Sequence, residues 1–290
     1  MKNKALASLI FAMVVFGTIG ILRKFIPLSS GMVAFVRGIV GFAFLYVVLL
    51  LKKKPLSIKK LGKKAVVLFL SGVFIGFNWI LLFEAFNYTS VATATLCYYV
   101  APVFVIIASP LVFKEKLNAK KVLCIFGALL GMCFVSGVFE NGAGGIGEMK
   151  GVIFGVSAAV LYASVVILNK KTAEIPSFEK TVVQLGSAAA VLLPYILLTE
   201  DFSEIELEPL SIVLLLTAGI LHTGISYALY FGSIGKLPAQ TAAIFSYIDP
   251  VSAIFLSAIF LNEKLNIYGI IGAVLILGSA LVNEIQLGKK

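Results

Sequence analysis

Charged side chains are scarce in this 290-residue sequence, and the shortage excludes most classes of soluble protein. Asp, Glu, Lys and Arg together make up 13% of the residues, about half of the roughly 25% found in ordinary globular chains. Hydrophobic residues make up 60%, so the sequence cannot build a mostly polar surface. An intrinsically disordered chain is also excluded, because disorder requires low hydrophobicity and high net charge. The composition therefore predicts a polytopic membrane protein.

Residues that carry common enzymatic chemistry are also rare. The single histidine excludes a His-Glu-x-x-His metal site, and Gly235-Lys236 is followed by Leu237 rather than by the Ser or Thr of a nucleotide-binding loop. The three cysteines, Cys97, Cys124 and Cys133, lie inside apolar runs, where we expect small buried hydrophobic residues rather than disulfides. We therefore expect no catalytic residue, no cofactor and no metal.

Long apolar stretches dominate the chain instead. A membrane-spanning helix needs about 20 mostly apolar residues, and the connections between the stretches are too short to form a soluble domain. The first stretch follows two lysines, as in a signal peptide, but it exceeds the usual length of a signal peptide's apolar core, so we expect a retained helix. Ten such stretches are present, at residues 5–22, 31–51, 65–87, 90–113, 120–139, 150–168, 181–199, 211–233, 238–261 and 267–287.

The basic residues predict how the chain lies in the membrane. A net charge of +10 would suggest nucleic-acid binding in a soluble domain, but in a membrane protein positive charge marks the loops that stay in the cytoplasm. With both termini inside, the inner loops and tails hold 19 of the 24 Lys and Arg residues, seven of them in the loop 52–64. The acidic stretch 200–208 then lies outside. We expect a multi-pass protein of the cytoplasmic membrane, with both termini cytoplasmic and no nucleic-acid partner.

The sequence repeats itself at an offset of 148 residues. The segment Tyr99–Ile106 aligns with Tyr247–Ile254, and each copy contains a proline at the same position. The turn Glu115–Asn118, which reads Glu-Lys-Leu-Asn, recurs as Glu263–Asn266. A polar block of four residues together with an aligned proline and tyrosine is not expected by chance, so the repeat is genuine.

The repeat divides the chain into two halves, 1–140 and 148–290, with five spans in each. Because five is odd, the second half enters the membrane from the opposite side. The sequence therefore predicts an all-α polytopic membrane protein of ten transmembrane helices, arranged as two inverted five-helix repeats. Inverted repeats are typical of transporters, because two similar halves can exchange roles around a central site.

These features resemble the EamA-type transporters of the drug/metabolite transporter superfamily: ten spans in two halves, a proline in the fourth and ninth spans, and a Glu-Lys-Leu turn after each. The resemblance covers nearly the whole chain. It implies transport of small metabolites, often amino acids or related compounds, through a central cavity between the halves, and it implies no universal catalytic residue. The small multidrug relatives use a carboxylate in their first helix, and the span 5–22 has none.

Pro102 and Pro250 lie near the middle of the fourth and ninth spans. Each removes a backbone donor and should free the carbonyl four residues earlier, at Tyr98 and at Ser246. Exposed backbone at mid-membrane is tolerated only against protein or a water-filled cavity, so the two prolines are candidate hinges beside the substrate path. The alternative is a kink that serves helix packing alone.

Four ionisable residues lie well inside the spans, where an unpaired charge is costly. Arg37 and Glu84 lie in the outer third of their helices, so they could form a structural ion pair, or Arg37 could anchor a substrate carboxylate. His222 and Asp249 lie at mid-depth on consecutive antiparallel helices. If they face each other, the pair could couple transport to protons. The alternative is a packing contact, or side chains that point apart.

Uncharged polar and aromatic residues complete the candidate site. Trp and Tyr can line a cavity with one apolar and one polar edge, although they also anchor helices at membrane interfaces. Asn78 and Trp79 in the third span align with Ser226 and Tyr227 in the eighth. The candidate substrate-binding residues are Arg37, Asn78, Trp79, Tyr98, Tyr99, Tyr162, Gln184, His222, Tyr227, Tyr247 and Asp249.

The candidate residues favour a secondary transporter or facilitator that moves a small polar metabolite by alternating access, with amino acids as candidate substrates. Its expected partners are that small molecule and the lipid bilayer. The alternative hypothesis is an intramembrane enzyme that acts on a lipid-linked substrate. Such an enzyme would need polar residues gathered near one membrane interface, whereas these are spread over mid-depth and over both halves.

Overall fold

The computed structural model describes residues 2–53, 56, 61–88, 97–135, 149–200, 208–260 and 267–284. Throughout this described part the chain is helical, without strands, as the composition predicts. A π-helical segment (Ala218–Ile225) joins two of the α-helices. The α-helices are α1 (Lys2–Gly17), α2 (Ile19–Lys24), α3 (Ser30–Leu51), α4 (Lys63–Tyr88), α5 (Ala101–Phe113), α6 (Ala119–Val135), α7 (Met149–Lys171), α8 (Ser177–Thr199), α9 (Pro209–Thr217), α10 (Ser226–Ile234), α11 (Ala239–Phe245), α12 (Ile248–Phe260) and α13 (Ile267–Glu284).

The helices follow the ten predicted spans, but four spans are not continuous α-helices within the described residues. The first is interrupted at Thr18, the fourth at Tyr99 and Val100, and the ninth at Ser246 and Tyr247, while the eighth contains the π-helical segment. Several predicted features lie outside the described residues: the span segments 90–96, 136–139, 261 and 285–287, the turn Glu263–Asn266, and the loop segments 54–55, 57–60 and 201–207.

Within the described residues, five helical stretches are long and apolar enough to cross a membrane, and the outward-facing side chains are suited to lipid. Large apolar residues are exposed on the outside of the bundle; Leu111 and Leu198, for example, are each 86% exposed. Shorter apolar helices occupy 3–17, 101–113 and 267–279. The five long stretches are 31–51, 63–82, 149–171, 177–199 and 209–234.

Helix contacts between the two halves are matched in pairs. The packing of α1 against α10 corresponds to that of α7 against α4, and the packing of α1 against α12 corresponds to that of α7 against α5. The contact of α3 with the π-helical segment likewise corresponds to that of α8 with α4. In two further contacts, α3 with α8 and α6 with α13, the two helices in contact occupy equivalent positions in the two repeats. The repeat seen in the sequence is therefore also a pseudo-two-fold symmetry of the packing.

Glycines allow the closest of these helix crossings. A Cβ atom at Gly72 would lie 2.3 Å from the carbonyl oxygen of Gln184, so α4 can touch the backbone of α8 only because this position lacks a side chain. At Gly17 a Cβ atom would lie 2.8 Å from the carbonyl oxygen of Asp249. Small residues at helix crossings are the usual means of tight packing in membranes, where no hydrophobic effect drives helices together.

Candidate functional site: an aromatic cluster between the halves

Eight aromatic side chains from both halves meet in the interior of the bundle. The rings of Trp79 and Tyr227 make an edge contact, with centroids 6.2 Å apart. Tyr162 stacks on Tyr230 at 6.3 Å and contacts Tyr98 at 5.7 Å. The set comprises Phe16, Trp79, Tyr98, Tyr99, Tyr162, Tyr227, Tyr230 and Phe231, and we refer to it as the aromatic cluster.

Helical spacing explains why α10 supplies three of these rings. Residues three and four positions apart lie on the same face of a helix, so Tyr227, Tyr230 and Phe231 share one face of α10 and contact one another. Phe16 meets both tyrosines from α1. The hydroxyl groups of Tyr230 and Tyr162 lie within hydrogen-bonding reach of each other. The cluster thus offers ring faces and hydroxyl groups together.

Arg37 brings a positive charge to one side of the cluster. Its guanidinium carbon lies 4.9 Å from the centroid of the Trp79 ring, which is cation–π geometry. Its Nε donates a 3.0 Å hydrogen bond to Oγ1 of Thr223. Neither partner carries a negative charge, so the remaining guanidinium donors are not neutralised by these contacts. The arrangement suits an anionic ligand group.

Asp249 brings a negative charge close to the same rings. Its carboxylate lies within hydrogen-bonding reach of the Tyr99 side chain. Tyr98 and Tyr227 are close enough to interact electrostatically with Asp249 as well as with Arg37. The two opposite charges therefore flank a shared group of tyrosines.

The π-helical segment positions His222 and Thr223 beside Arg37. The Thr223 hydroxyl donates to the carbonyl of Ala218, five residues earlier, at 2.8 Å. Nε2 of His222 lies 2.7 Å from Oγ1 of Thr18, at the interruption between α1 and α2. The Thr18 hydroxyl also lies 2.7 Å from the carbonyl oxygen of Val15, and Nδ1 of His222 lies 3.4 Å from the carbonyl oxygen of Thr217. π-Helical turns occur frequently at functional sites.

The breaks in the fourth and ninth spans precede the prolines rather than coincide with them. Pro102 is the second residue of α5, and Pro250 is the third residue of α12. In the first turn of a helix a proline needs no backbone donor. The expectation of a free carbonyl at Ser246 is therefore wrong, because that oxygen accepts a 3.3 Å hydrogen bond from the backbone amide of Asp249. The hinge role of the two prolines stays a prediction.

Tyr247 joins the two breaks. Its hydroxyl donates a 3.0 Å hydrogen bond to the carbonyl of Tyr99, which is the equivalent position in the first repeat. The Tyr247 ring is fully buried against Met132, Val251 and Ile276. It therefore holds the backbone beside the aromatic cluster rather than forming part of the cluster wall.

One end of the bundle is sealed by contacts between the halves. This end, which we call the basic end, carries the connections 114–118, 172–176 and 235–238. Glu115 of the first half accepts hydrogen bonds from the backbone amides of Ala239 at 2.9 Å and of Gln240 at 3.5 Å. Its carboxylate also forms a 3.3 Å ion pair with Lys170 of the second half. We call this arrangement the Glu115 clamp.

Further contacts support the clamp. Lys170 also donates to the carbonyl of Leu237, and its ammonium group lies 5.3 Å from the ring centroid of Phe113. One helical turn deeper, the Gln240 side chain donates a 2.6 Å hydrogen bond to the buried hydroxyl of Ser109. The charged groups of the clamp are largely satisfied by one another, so this end of the bundle is closed.

Comparison with known proteins identifies the fold that carries this site. The profile of the EamA-like transporter family matches residues 3–137 and 149–284, which together cover most of the chain. The chain belongs to the EamA-like transporter family. The all-α, two-repeat membrane fold predicted from the sequence is thereby confirmed, as is the resemblance to the drug/metabolite transporter superfamily.

Relatives of this EamA-like transporter are themselves named transporters. The uncharacterized transporter YxxF of Bacillus subtilis is 32% identical over 99% of this chain and 92% of its own length. An uncharacterized transporter of Clostridium kluyveri is 27% identical over 89% of this chain and 83% of its own. A solved crystal structure superposes with a TM-score of 0.86 over 97% of each chain at 17% identity, which shows the shared fold alone. These relatives favour a transporter over an intramembrane enzyme.

Neither of the two charge pairs that the sequence left open, Arg37 with Glu84 and His222 with Asp249, is formed in the EamA-like transporter. Glu84 accepts a 3.1 Å hydrogen bond from the Tyr195 hydroxyl, while Arg37 lies against Trp79 and Thr223. His222 contacts Thr18 and the carbonyl of Thr217, while Asp249 contacts Tyr99. Equal depth in the membrane was the basis of both pairings, and depth does not determine which way a side chain points around its helix.

Two other candidates have structural partners. The Gln184 side chain donates a 2.7 Å hydrogen bond to Ser71 at the crossing of α4 and α8, outside the aromatic cluster. Asn78 donates a 2.7 Å hydrogen bond to the carbonyl of Ala158 on α7 and also reaches the Tyr98 hydroxyl at the edge of the cluster. Asn78 therefore connects the two halves and also contacts the aromatic cluster. Gln184 connects the two halves without contacting the cluster.

Five residues of the site are missing from the sequence prediction: Phe16, Thr18, Thr223, Tyr230 and Phe231. Aromatic and hydroxyl residues within apolar spans look the same whether they face lipid or the interior. For Tyr230 a signal was available, because it lies three residues after Tyr227 and so shares its helix face.

Proposed function

We propose that this transporter is a secondary transporter or facilitator that moves a small zwitterionic metabolite, in particular an amino acid, across the cytoplasmic membrane by alternating access. The observation that carries the proposal is the pair of opposite charges, Arg37 and Asp249, on a shared group of tyrosines. Neither charge is neutralised by an opposite charge among its described contacts. A zwitterionic ligand would supply the missing counter-charge to each of them.

The chemistry of each part suits one part of an amino acid. The guanidinium of Arg37 offers planar donors for a carboxylate, and Asp249 with the Tyr99 hydroxyl offers acceptors for an ammonium group. The surrounding rings present apolar faces with hydroxyl edges, which suit a side chain of moderate polarity. Burying an unpaired charge within a membrane is costly, so charges that persist there usually serve a ligand or a transported ion.

Alternating access is supported by the symmetry of the packing and by the closed basic end. Matched helix contacts between the halves provide two similar arrangements that can be exchanged. The Glu115 clamp crosses between the halves, so opening this end requires the clamp to break. The interruptions before α5 and α12 lie beside the cluster, where a change of backbone angle would reach the ligand directly.

The proposal includes an orientation with both termini in the cytoplasm, so that the basic end faces the cytoplasm. It rests on the excess of Lys and Arg at this end. Single cysteines in the loops 52–64 and 200–208, in a cysteine-free background, test it with an impermeant maleimide on intact cells. Labelling of the 200–208 loop alone is expected, and labelling of the 52–64 loop alone would reverse the orientation.

A ligand-stabilisation screen of the purified protein tests the substrate class. A ligand that binds only the folded state raises its stability, by about 2.7 kcal/mol at a hundred times its dissociation constant. We expect at least one amino acid to raise the unfolding midpoint by several degrees. The matching amine without a carboxylate, and the matching acid without an amino group, should not.

The Arg37→Gln variant serves as the control for the site. It should fold with a midpoint close to that of the parent and lose the shift. Equal shifts from the amine, the acid and the zwitterion, or an unchanged shift in Arg37→Gln, would contradict the proposal.

A further inference from the structure

A cavity of about 610 Å³ opens at the basic end beside the Glu115 clamp. Its walls come from both halves: the turn after α5 and the start of α6 on one side, and the end of α7 with the connection between α10 and α11 on the other. The lining residues are Glu115, Lys116, Asn118, Lys121, Lys170, Gly235, Lys236, Leu237 and Pro238.

The charge of this cavity is strongly positive. It is lined by four lysines and one glutamate. The glutamate, Glu115, is already paired with Lys170 and with two backbone amides. Lys116, Lys121 and Lys236 have no acidic partner in the part of the chain that the structure describes. The Lys121 ammonium group donates a 3.4 Å hydrogen bond to the backbone carbonyl of Lys116.

Backbone geometry adds to the positive potential. Asn118 caps the start of α6, with its side-chain oxygen accepting a 2.8 Å hydrogen bond from the amide of Lys121. The N-terminal end of this 17-residue helix carries a partial positive charge and is directed at the cavity wall. Cationic side chains and a helix N-terminus around a cavity of this size form a binding site for a multiply hydrogen-bonded anion.

We propose that this cavity binds a phosphate group. Phosphate matches three ammonium groups in charge and in the number of acceptor oxygens. The cavity lies where apolar helices end, at the level of lipid headgroups. Basic pockets between membrane helices bind the phosphates of anionic lipids by this chemistry. The phosphate of an anionic phospholipid and free inorganic phosphate are the two sources of such a group.

Occupancy of the cavity has a consequence for the clamp. Lys116 and Lys121 belong to the first half, and Lys236 belongs to the second. A phosphate held among them bridges the halves next to the ion pair of Glu115 with Lys170. It therefore stabilises the closed arrangement of the basic end, whatever substrate the protein carries.

The test measures thermal unfolding of the purified protein in nanodiscs. One preparation contains phosphatidylcholine alone, a second contains phosphatidylcholine with phosphatidylglycerol, and a third contains phosphatidylcholine with inorganic phosphate in the buffer. We expect the unfolding midpoint to rise in the second preparation by several degrees. A rise in the third preparation alone would identify free phosphate as the occupant.

A triple variant and a matched control locate the effect. In Lys116→Gln/Lys121→Gln/Lys236→Gln the affinity for phosphate should fall about a hundredfold, because each lysine near an anionic surface contributes roughly fivefold. The rise in midpoint should disappear. Lys53→Gln/Lys63→Gln/Lys171→Gln removes the same charge from exposed positions at the same end and should keep the full rise.

The midpoints in phosphatidylcholine alone report whether each variant folds, and Lys236→Gln repeats the test with a single change if the triple variant does not. An equal loss in both triple variants would mean that general surface charge causes the effect, which overturns the proposal. No rise with either phosphate source in the parent protein overturns it as well.

Discussion

Within the aromatic cluster, Arg37 and Asp249 contact rings and hydroxyl groups, whereas at the basic end Glu115 is held by a lysine and two backbone amides. The difference indicates that the aromatic cluster is suited to binding a ligand, whereas the Glu115 clamp is suited to holding the basic end closed. Charges left without a counter-ion in a membrane interior carry a free-energy cost that a ligand can remove. Charges that satisfy one another, as in the Glu115 clamp, need no ligand and can hold one conformation by themselves.

The largest effect is expected when Arg37, the cation without a counter-ion in the aromatic cluster, is replaced. Arg37→Ala should weaken substrate binding on the order of a hundredfold, because one member of a buried charge contact is lost. Apparent affinity in proteoliposomes measures the effect at matched expression. Glu84→Ala is the control and should transport like the parent, since Glu84 is bonded to Tyr195. Transport by Arg37→Ala with unchanged affinity would remove Arg37 from the site.

The clamp should respond differently, by changing access rather than affinity. Glu115→Gln keeps a side-chain oxygen for the amide of Ala239 but loses the charge that pairs with Lys170. A charge-assisted contact of this kind contributes about 1.5–3 kcal/mol, so the basic end should open about ten to a hundred times more often. The readout is the rate of maleimide labelling at a cysteine placed at the buried position Thr241, in a background without the native cysteines.

Glu179→Gln, which makes the same chemical change at the same end of the bundle but outside the clamp, should label at the parent rate. If it labels as fast as Glu115→Gln, access at the basic end is not governed by the clamp.

The separate surroundings of Asp249 and His222 predict different effects on the pH dependence of transport. The titratable groups that face Asp249 are Tyr98, Tyr99, Tyr227 and Tyr230, whereas His222 lies beside Arg37. Between pH 5.5 and 8, Asp249→Asn should reduce any variation in transport rate to less than about twofold. His222→Gln should keep the parent profile. A flattened profile in His222→Gln alone would assign the proton to the imidazole.

The smallest effect on stability is expected at an ion pair that is exposed to water. Lys64 donates a hydrogen bond to Glu174, whose side chain is 52% exposed, and this contact lowers the pKa of Glu174 below its ordinary value of 4.5. The contact therefore stabilises the fold above that pH and is lost as the pH falls through the lowered pKa. Glu174→Gln should cost less than about 1 kcal/mol at pH 7.

The difference between Glu174→Gln and the parent should disappear as the pH falls through the lowered pKa of Glu174, as measured by thermal unfolding in detergent. Thermal unfolding of Glu115→Gln at pH 7 provides the comparison. If Glu174→Gln loses as much stability as Glu115→Gln does, then exposure to water does not explain why the two ion pairs should differ in strength.

The sequence predicts the class of fold well, because a bilayer imposes simple rules. Apolar stretches of spanning length and the repeat at an offset of 148 residues are sufficient to predict the helices and their grouping. The site was predicted in its parts, since Arg37, Asp249 and most of the tyrosines stand out as polar groups in apolar spans. Their partners were not predicted, because pairing depends on rotation about each helix axis, and spacing along one helix does not fix rotation relative to another.

The breaks in the spans show a second limit of the sequence. Pro102 and Pro250 mark the right helices, but the chain starts a new helix before each proline instead of bending at it. The π-helical segment has no proline and was not expected. Its geometry depends on the contact of Thr223 with the carbonyl of Ala218, and on α3 approaching closely at Gly41. Such tertiary contacts are not readable from the local sequence.

The π-helical segment also has a mechanical consequence. A π-turn accommodates about one residue more than an α-turn, and each residue of an α-helix corresponds to a rotation of about 100°. If the segment Ala218–Ile225 returned to α-helical geometry, α10 would rotate about its own axis by about that angle. Tyr227 and Tyr230 would then lose their ring contacts with Phe16 on α1. Eight residues of backbone thus set the register in which one wall of the aromatic cluster is presented.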